Sequence, residues 1–146
     1  MITFDRKGNP KPAGIVKTTL SDFKSFFVDA FHSSVTRLII YDKWQDYISD
    51  FKREISPAFT QWINGSYTTN KINPNDIDLV NLVEYTEELN DNSALLNFLT
   101  VGSSKRLYKV DGYLVPIYEE EDPRHSLTKQ QLNYWKNWFG HDRQGN

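Results

Sequence analysis

The run Asp76-Ile77-Asp78-Leu79-Val80 sets the tightest constraint on how this chain folds. Two carboxylates alternate with aliphatic side chains, and a β-strand sends alternate residues to opposite faces. The segment 76–83 (DIDLVNLV) therefore reads as a strand with Ile77 and Leu79 on one side and Asp76, Asp78 and Val80 across the pleat. An unpaired charge inside an apolar strand is costly, so turn-forming preference alone does not explain why Asp78 repeats Asp76. Upstream, residues 59–64 (FTQWIN) have the aromatic and β-branched content of a short strand, which Gly65-Ser66 breaks. A polar loop through Asn73-Pro74-Asn75 joins the two.

The remaining chain supplies helices to cover these strands. Phe23, Phe26, Phe27, Ala30 and Phe31 recur at helical spacing behind Ser21, predicting a first helix over 22–31 with Ser21 as N-cap. A second stripe, Trp44, Tyr47, Ile48, Phe51 and Ile55, faces away from a charged side and stops before Pro57. A short helix is expected over 93–99, a strand over 108–118, and a last helix over 126–139, ended by Gly140. Residues 4–14 carry Gly8, Pro10, Pro12 and Gly14 and read as an extended arm or loop. The order α, α, β, β, α, β, α over 146 residues predicts one α/β domain, a short mixed sheet with helices packed mainly on one face. With 4 Trp, 8 Tyr and 9 Phe, the rings provide enough apolar area for a core.

Charge and composition exclude several functions. A net charge of −2 argues against a protein that coats nucleic acid. The absence of cysteine removes disulfides, thiol nucleophiles and thiolate metal sites. His32, His125 and His141 lack the spacing of zinc ligands. No apolar run is long enough for a membrane span or a signal peptide, which leads us to expect a cytoplasmic protein with no membrane partner.

The chemistry concentrates in WINGSYTTNKINPNDIDLV, residues 62–80. Carboxylates at i and i+2 on a strand project to one side, as needed to hold a hard divalent cation through oxygen. Gly65 lets a phosphate approach the backbone, and the Ser66 hydroxyl and amide can donate to phosphate oxygens. These parts suit a magnesium nucleoside triphosphate. Asn64-Gly65 and Pro74-Asn75-Asp76 are also ordinary turn formers, so a purely structural reading stands beside it.

Gly65-Ser66 followed by Asp76-x-Asp78 and an apolar run resembles the signature of the nucleotidyltransferase superfamily related to DNA polymerase β. A wider likeness extends to small bacterial proteins of that superfamily with a GS[FY]xTxKxxPxDxD motif, here Gly65 to Asp78, an early Gly- and Pro-rich arm, an aromatic first helix and a Trp…Phe-Gly tail (Trp135, Phe139-Gly140). The resemblance implies that Gly65 and Ser66 meet the triphosphate and that Asp76 and Asp78 hold Mg2+ or Mn2+. It also suggests Asp111 on a later strand as the third catalytic acid and metal ligand, and Thr69 and Lys71 as nucleotide-binding residues. Locally, Asp111-Gly112 between strand-like flanks is equally a hairpin signal, and both readings stay open.

The expected enzyme moves a nucleoside monophosphate from an NTP to an acceptor hydroxyl on protein or nucleic acid. The alternatives are a non-catalytic or weakly active partner protein on the same fold, such as a toxin–antitoxin or defence component, and a plain structural domain. Arg37 could reach phosphate or cap a helix, and Lys105, Arg106 and Lys109 could meet nucleic acid or line a solvated face. Glu119 to Asp122 reads as an exposed acidic loop, and Trp135 and Trp138 as core or base-stacking rings. No partner is evident for His125 or His141.

Overall fold

The protein is described from a computed structural model covering residues 2–12 and 14–140, with side chains through residue 138. The amino-terminal arm doubles back as a two-residue ladder, β1 (Thr3–Phe4) against antiparallel β2 (Pro10–Lys11). Helix α1 (Leu20–Lys24) runs into a π-helical turn over Ser25–Asp29. The first helix therefore starts earlier than its apolar stripe suggests. Thr19, in extended conformation, is the cap, its hydroxyl accepting from the Asp22 amide at 3.1 Å, so Ser21 lies inside the helix instead.

Helix α2 (Arg37–Glu54) carries the aromatic stripe, burying Tyr41, Trp44, Tyr47 and Phe51. Strands β3 (Thr60–Asn64) and β4 (Ile77–Glu84) pair antiparallel, Asn64 opposite Asp78. A crossover follows, containing α3 (Glu87–Asp91), a 3-10 stretch over Ser93–Phe98 and α4 (Ser104–Tyr108). It returns the chain to β5 (Val110–Ile117), which lies parallel to β4 and completes the order β3-β4-β5. Helix α5 (His125–Gly140) closes the described chain. This is a mixed α/β fold.

One local expectation changes and one open choice closes. The strand expected from Tyr108 begins at Val110, because Tyr108 ends α4 and Lys109 caps it in the left-handed region at φ 55°. The hairpin reading of Asp111-Gly112 is replaced by mid-strand pairing, with Asp111 beside Asp78 and Gly112 beside Leu79. Glycine is required at 112 by close approach. A Cβ there would lie 2.3 Å from the Phe98 carbonyl oxygen and 3.2 Å from the Tyr47 hydroxyl.

Tyr47, Phe51 and Phe98 are fully buried between α2 and the sheet, in ring contact with one another. A polar chain is threaded through this core. Trp44 donates to Gln61 at 3.0 Å, Gln61 to Asn81 at 2.8 Å, Asn81 to the Tyr47 hydroxyl at 2.7 Å, and Tyr47 to the Phe98 carbonyl at 2.7 Å. Gly112 thus faces α2, and its neighbour Tyr113 faces the opposite way and meets Trp135 of α5, ring centroids 4.8 Å apart. The start of α5 is tied to the end of β5 by Thr128, whose hydroxyl donates to the Pro116 carbonyl and accepts from the Tyr118 amide, both at 3.0 Å.

Candidate functional site

Strand register builds the site. Asn64, Asp78 and Asp111 form one row across β3, β4 and β5, and strand alternation puts Tyr113 on the same face as Asp111. That is the face opposite α2. Gly65 follows Asn64 with φ 80° and ψ −165°, a conformation essentially reserved for glycine. A Cβ at Gly65 would come within 2.0 Å of Asp78 Oδ2, so the Asp78 carboxylate lies directly against the Gly65 backbone. Asp76 falls one residue before β4, at the mouth of the strand.

The loop after Gly65 is held from beneath. Ser66–Thr68 form a 3-10 turn, and the Thr69 hydroxyl donates to the Ser66 carbonyl at 2.7 Å and accepts from the Lys71 amide at 3.2 Å. Arg37, only 1% exposed, sends its guanidinium under this loop. It donates to the carbonyls of Tyr67 (2.7 Å), Thr69 (2.8 Å) and Lys71 (2.6 Å), and to Phe27 at 2.7 Å, with the Phe31 ring 3.7 Å away. The Tyr67 hydroxyl returns a bond to the Arg37 carbonyl at 2.8 Å. Burial lowers Arg37 to about 10, which still leaves it charged at neutral pH. Arg37 is therefore an internal clamp on the loop. The Gly8 carbonyl, in the turn between β1 and β2, accepts from the Asn70 amide at 2.9 Å and secures the same loop from outside.

Asp111 is engaged within the chain. The Thr100 hydroxyl donates to its Oδ1, and Lys105 Nζ stands 3.9 Å from its Oδ2. Burial, the charge of Asp111, a hydrogen bond to Asp111 and the charge of Asp78 together push the Tyr113 phenol up. The structure thus brings together Gly65, Asp78 and Asp111, with Ser66 next in the chain. Thr69 shapes the loop through its hydroxyl, Lys71 supplies backbone to Arg37, and Arg106 and Lys109 are exposed. His125 Nδ1 hydrogen-bonds the Tyr118 carbonyl at 2.8 Å, Trp138 is exposed, and His141 lies outside the described residues.

Thr100 and Tyr113 escaped the sequence reading, and Lys105, expected to face nucleic acid or solvent, stands beside Asp111 instead. Tyr113 was accessible from its i+2 spacing to Asp111, but Thr100 reaches Asp111 through a turn that has no residue-type signature. Among the described residues, no group of three or more His, Cys, Asp or Glu is placed to hold a metal ion. The pair Asp78 and Asp111, hard oxygen donors in adjacent register beside a glycine with no side chain, fits a divalent cation whose other ligands come from phosphate or water. No helix among the described residues is long and apolar enough to cross a membrane.

Residues 2–146 match a family described as "Family of unknown function (DUF6932)", and the chain belongs to it. No curated protein and no solved structure matches the chain.

Proposed function

We propose that this chain is a metal-dependent nucleotidyltransferase that moves a nucleoside monophosphate from an NTP to a hydroxyl on a protein or nucleic acid acceptor in the cytoplasm. The observation that carries this reading is the placement of Asp78 and Asp111 side by side on one sheet face with the Gly65 backbone against Asp78. The Gly65 backbone admits phosphate, and the Ser66 hydroxyl and amide can donate to its oxygens. Asp76, Asp78 and Asp111 would offer carboxylate oxygens to the cation that accompanies the triphosphate. Asp111 takes the acceptor's proton as the acceptor oxygen bonds the α-phosphorus and the α–β phosphoanhydride bond breaks, releasing pyrophosphate. When bound, Mg2+ or Mn2+ supplies Lewis acidity at the phosphates and lowers the pKa of the attacking hydroxyl.

A second reading, a binding or regulatory partner on the same fold, is favoured by the same contacts on Asp111. A carboxylate held by Thr100 and approached by Lys105 has fewer lone pairs for a cation. The test is incubation of the protein with each NTP, magnesium and candidate acceptors, followed by mass spectrometry, with triphosphate binding measured separately by calorimetry. Asp111→Ala is expected to keep triphosphate binding and to lose transfer by roughly 10²-fold or more, the scale of a positioned acid or base. Binding without transfer by the unaltered chain would select the regulatory reading, and absence of both would remove each.

A further inference from the structure

Strand β3 is an edge strand, and among the described residues no backbone hydrogen bond joins its outer side to another segment. Exposed edges are usually blunted by proline, lysine, a bulge or a covering element, because their free amides and carbonyls template further pairing. Thr60-Gln61-Trp62-Ile63-Asn64 contains neither proline nor charge. Alongside it the irregular segment 14–19 walls a groove of about 600 Å3, with Ile15 and Val16 on the wall and 51% and 40% exposed. A second groove of about 530 Å3 continues past Phe59 toward α2. The two share Thr18, Phe23, Phe59, Gln61 and Ile63, so they run on from one another along β3.

The charges around this channel are of one sign. Lys11 and Lys17 line the first groove and Lys52 the second, and no Asp or Glu is among the described residues lining either. In a chain of net charge −2, that local excess is a property of the groove. We propose that the β3 edge docks an extended segment of a partner protein, apolar in its middle and acidic at its ends, which pairs with β3 as a fourth strand. Main-chain hydrogen bonds to β3 supply affinity, the groove between β3 and residues 14–19 receives alternate side chains, and the lysines select acidic flanks. β3 is five residues long, about 17 Å at 3.3–3.4 Å per residue, which sets the length of the paired stretch. The groove reaches Asn64, in register with Asp78, so one end of the docked segment lies beside Gly65. Docking itself does not depend on the transfer reaction.

The test uses the full chain and a fluorescent peptide of alternating valine and threonine with glutamates at both ends. Its controls are the same peptide with lysine ends and two versions N-methylated on one or the other alternate set of amides. The glutamate-ended peptide should bind roughly tenfold or more tightly than the lysine-ended one, and K11E/K17E should abolish or invert that preference. Methylating one alternate set should abolish binding and methylating the other should leave it, and binding should slow hydrogen exchange at residues 60–64. Equal binding of both charge forms, indifference to methylation of either set, or β3 amides already protected along their outer side in the free protein would overturn the proposal. The last result would mean that residues 14–19 or a second copy of the chain closes the edge.

Discussion

Gly65 and Asp78 constrain one another more than any other pair of residues in the candidate site. Alanine at 65 would have to adopt φ 80°, ψ −165° and place its Cβ 2.0 Å from Asp78 Oδ2. The torsion alone costs on the order of 1–3 kcal/mol, so Gly65→Ala should lower the urea midpoint clearly. In an Asp78→Ala background the carboxylate is gone and only the Cβ at 78, 3.0 Å from the added methyl, stays close, so the double variant should be more stable than the sum of the single effects implies. Strict additivity would mean that the carboxylate does not press on the glycine. Asp78→Asn makes a separate statement. With Asp111 in the adjacent register, removing one of two like charges should leave stability unchanged or slightly raised, while binding of magnesium triphosphate falls sharply in calorimetry. Unfolding by several kcal/mol instead would identify Asp78 as one half of a structural ion pair.

Arg37 ties three elements into one loop geometry, and its contacts explain which parts of the site could be read from sequence. The stripe on α2 and its stop before Pro57 follow from side-chain type and spacing alone, as does the placement of Asp78 on a strand entered from the polar loop through Pro74. The shape of residues 66–71 does not. Arg37 finds acceptors 10, 30, 32 and 34 residues away, all of them main-chain carbonyls, which every residue type provides equally. At Asp111-Gly112 the sequence left a hairpin and a continuous strand both open. The hairpin signal yielded to a parallel neighbour, β4, and to the Phe98 carbonyl packed where any side chain at 112 would stand. Arg37→Met should leave buried carbonyls without donors and cost several kcal/mol, on the order of 3–5, and Arg37→Lys should rescue little because one ammonium cannot reproduce the planar fork. Thermal denaturation measures the loss, and hydrogen exchange at residues 66–71 should rise in both variants. A lysine variant as stable as the parent would show that charge alone, without the fork, holds the loop.

At the scale of the whole molecule, stability against pH follows from phenols packed where a charge is costly. Burial is the first cause that raises Tyr47, Tyr67 and Tyr108 above their ordinary value of 10.0, and Tyr108 is raised further by its 2.6 Å bond to Asp50. A phenol whose folded value is raised stabilises the fold fully below the unfolded value and loses that contribution as pH climbs through the folded one. Arg37 works the other way. Its folded value, lowered to about 10 from 12.5, lets the folded chain release a proton first, so this group alone favours folding as pH rises between the two. Three phenols outweigh one guanidinium, and the protein should unfold cooperatively above pH 10, its buried tyrosines ionising together with loss of near-ultraviolet circular dichroism. On the acid side, the same Tyr108 bond is the first cause that holds Asp50 below 3.8, so this contribution is present above 3.8 and disappears as pH falls through the lower folded value. Tyr108→Phe should therefore act at both ends, moving alkaline unfolding to higher pH and flattening the acid limb, with its fold otherwise retained through ring packing on Tyr47 and Phe98. If phenolate absorbance at 295 nm instead grows smoothly around the ordinary tyrosine value while the fold persists, the three rings are accessible to solvent and the packing of α2 and α4 against the sheet is looser than described.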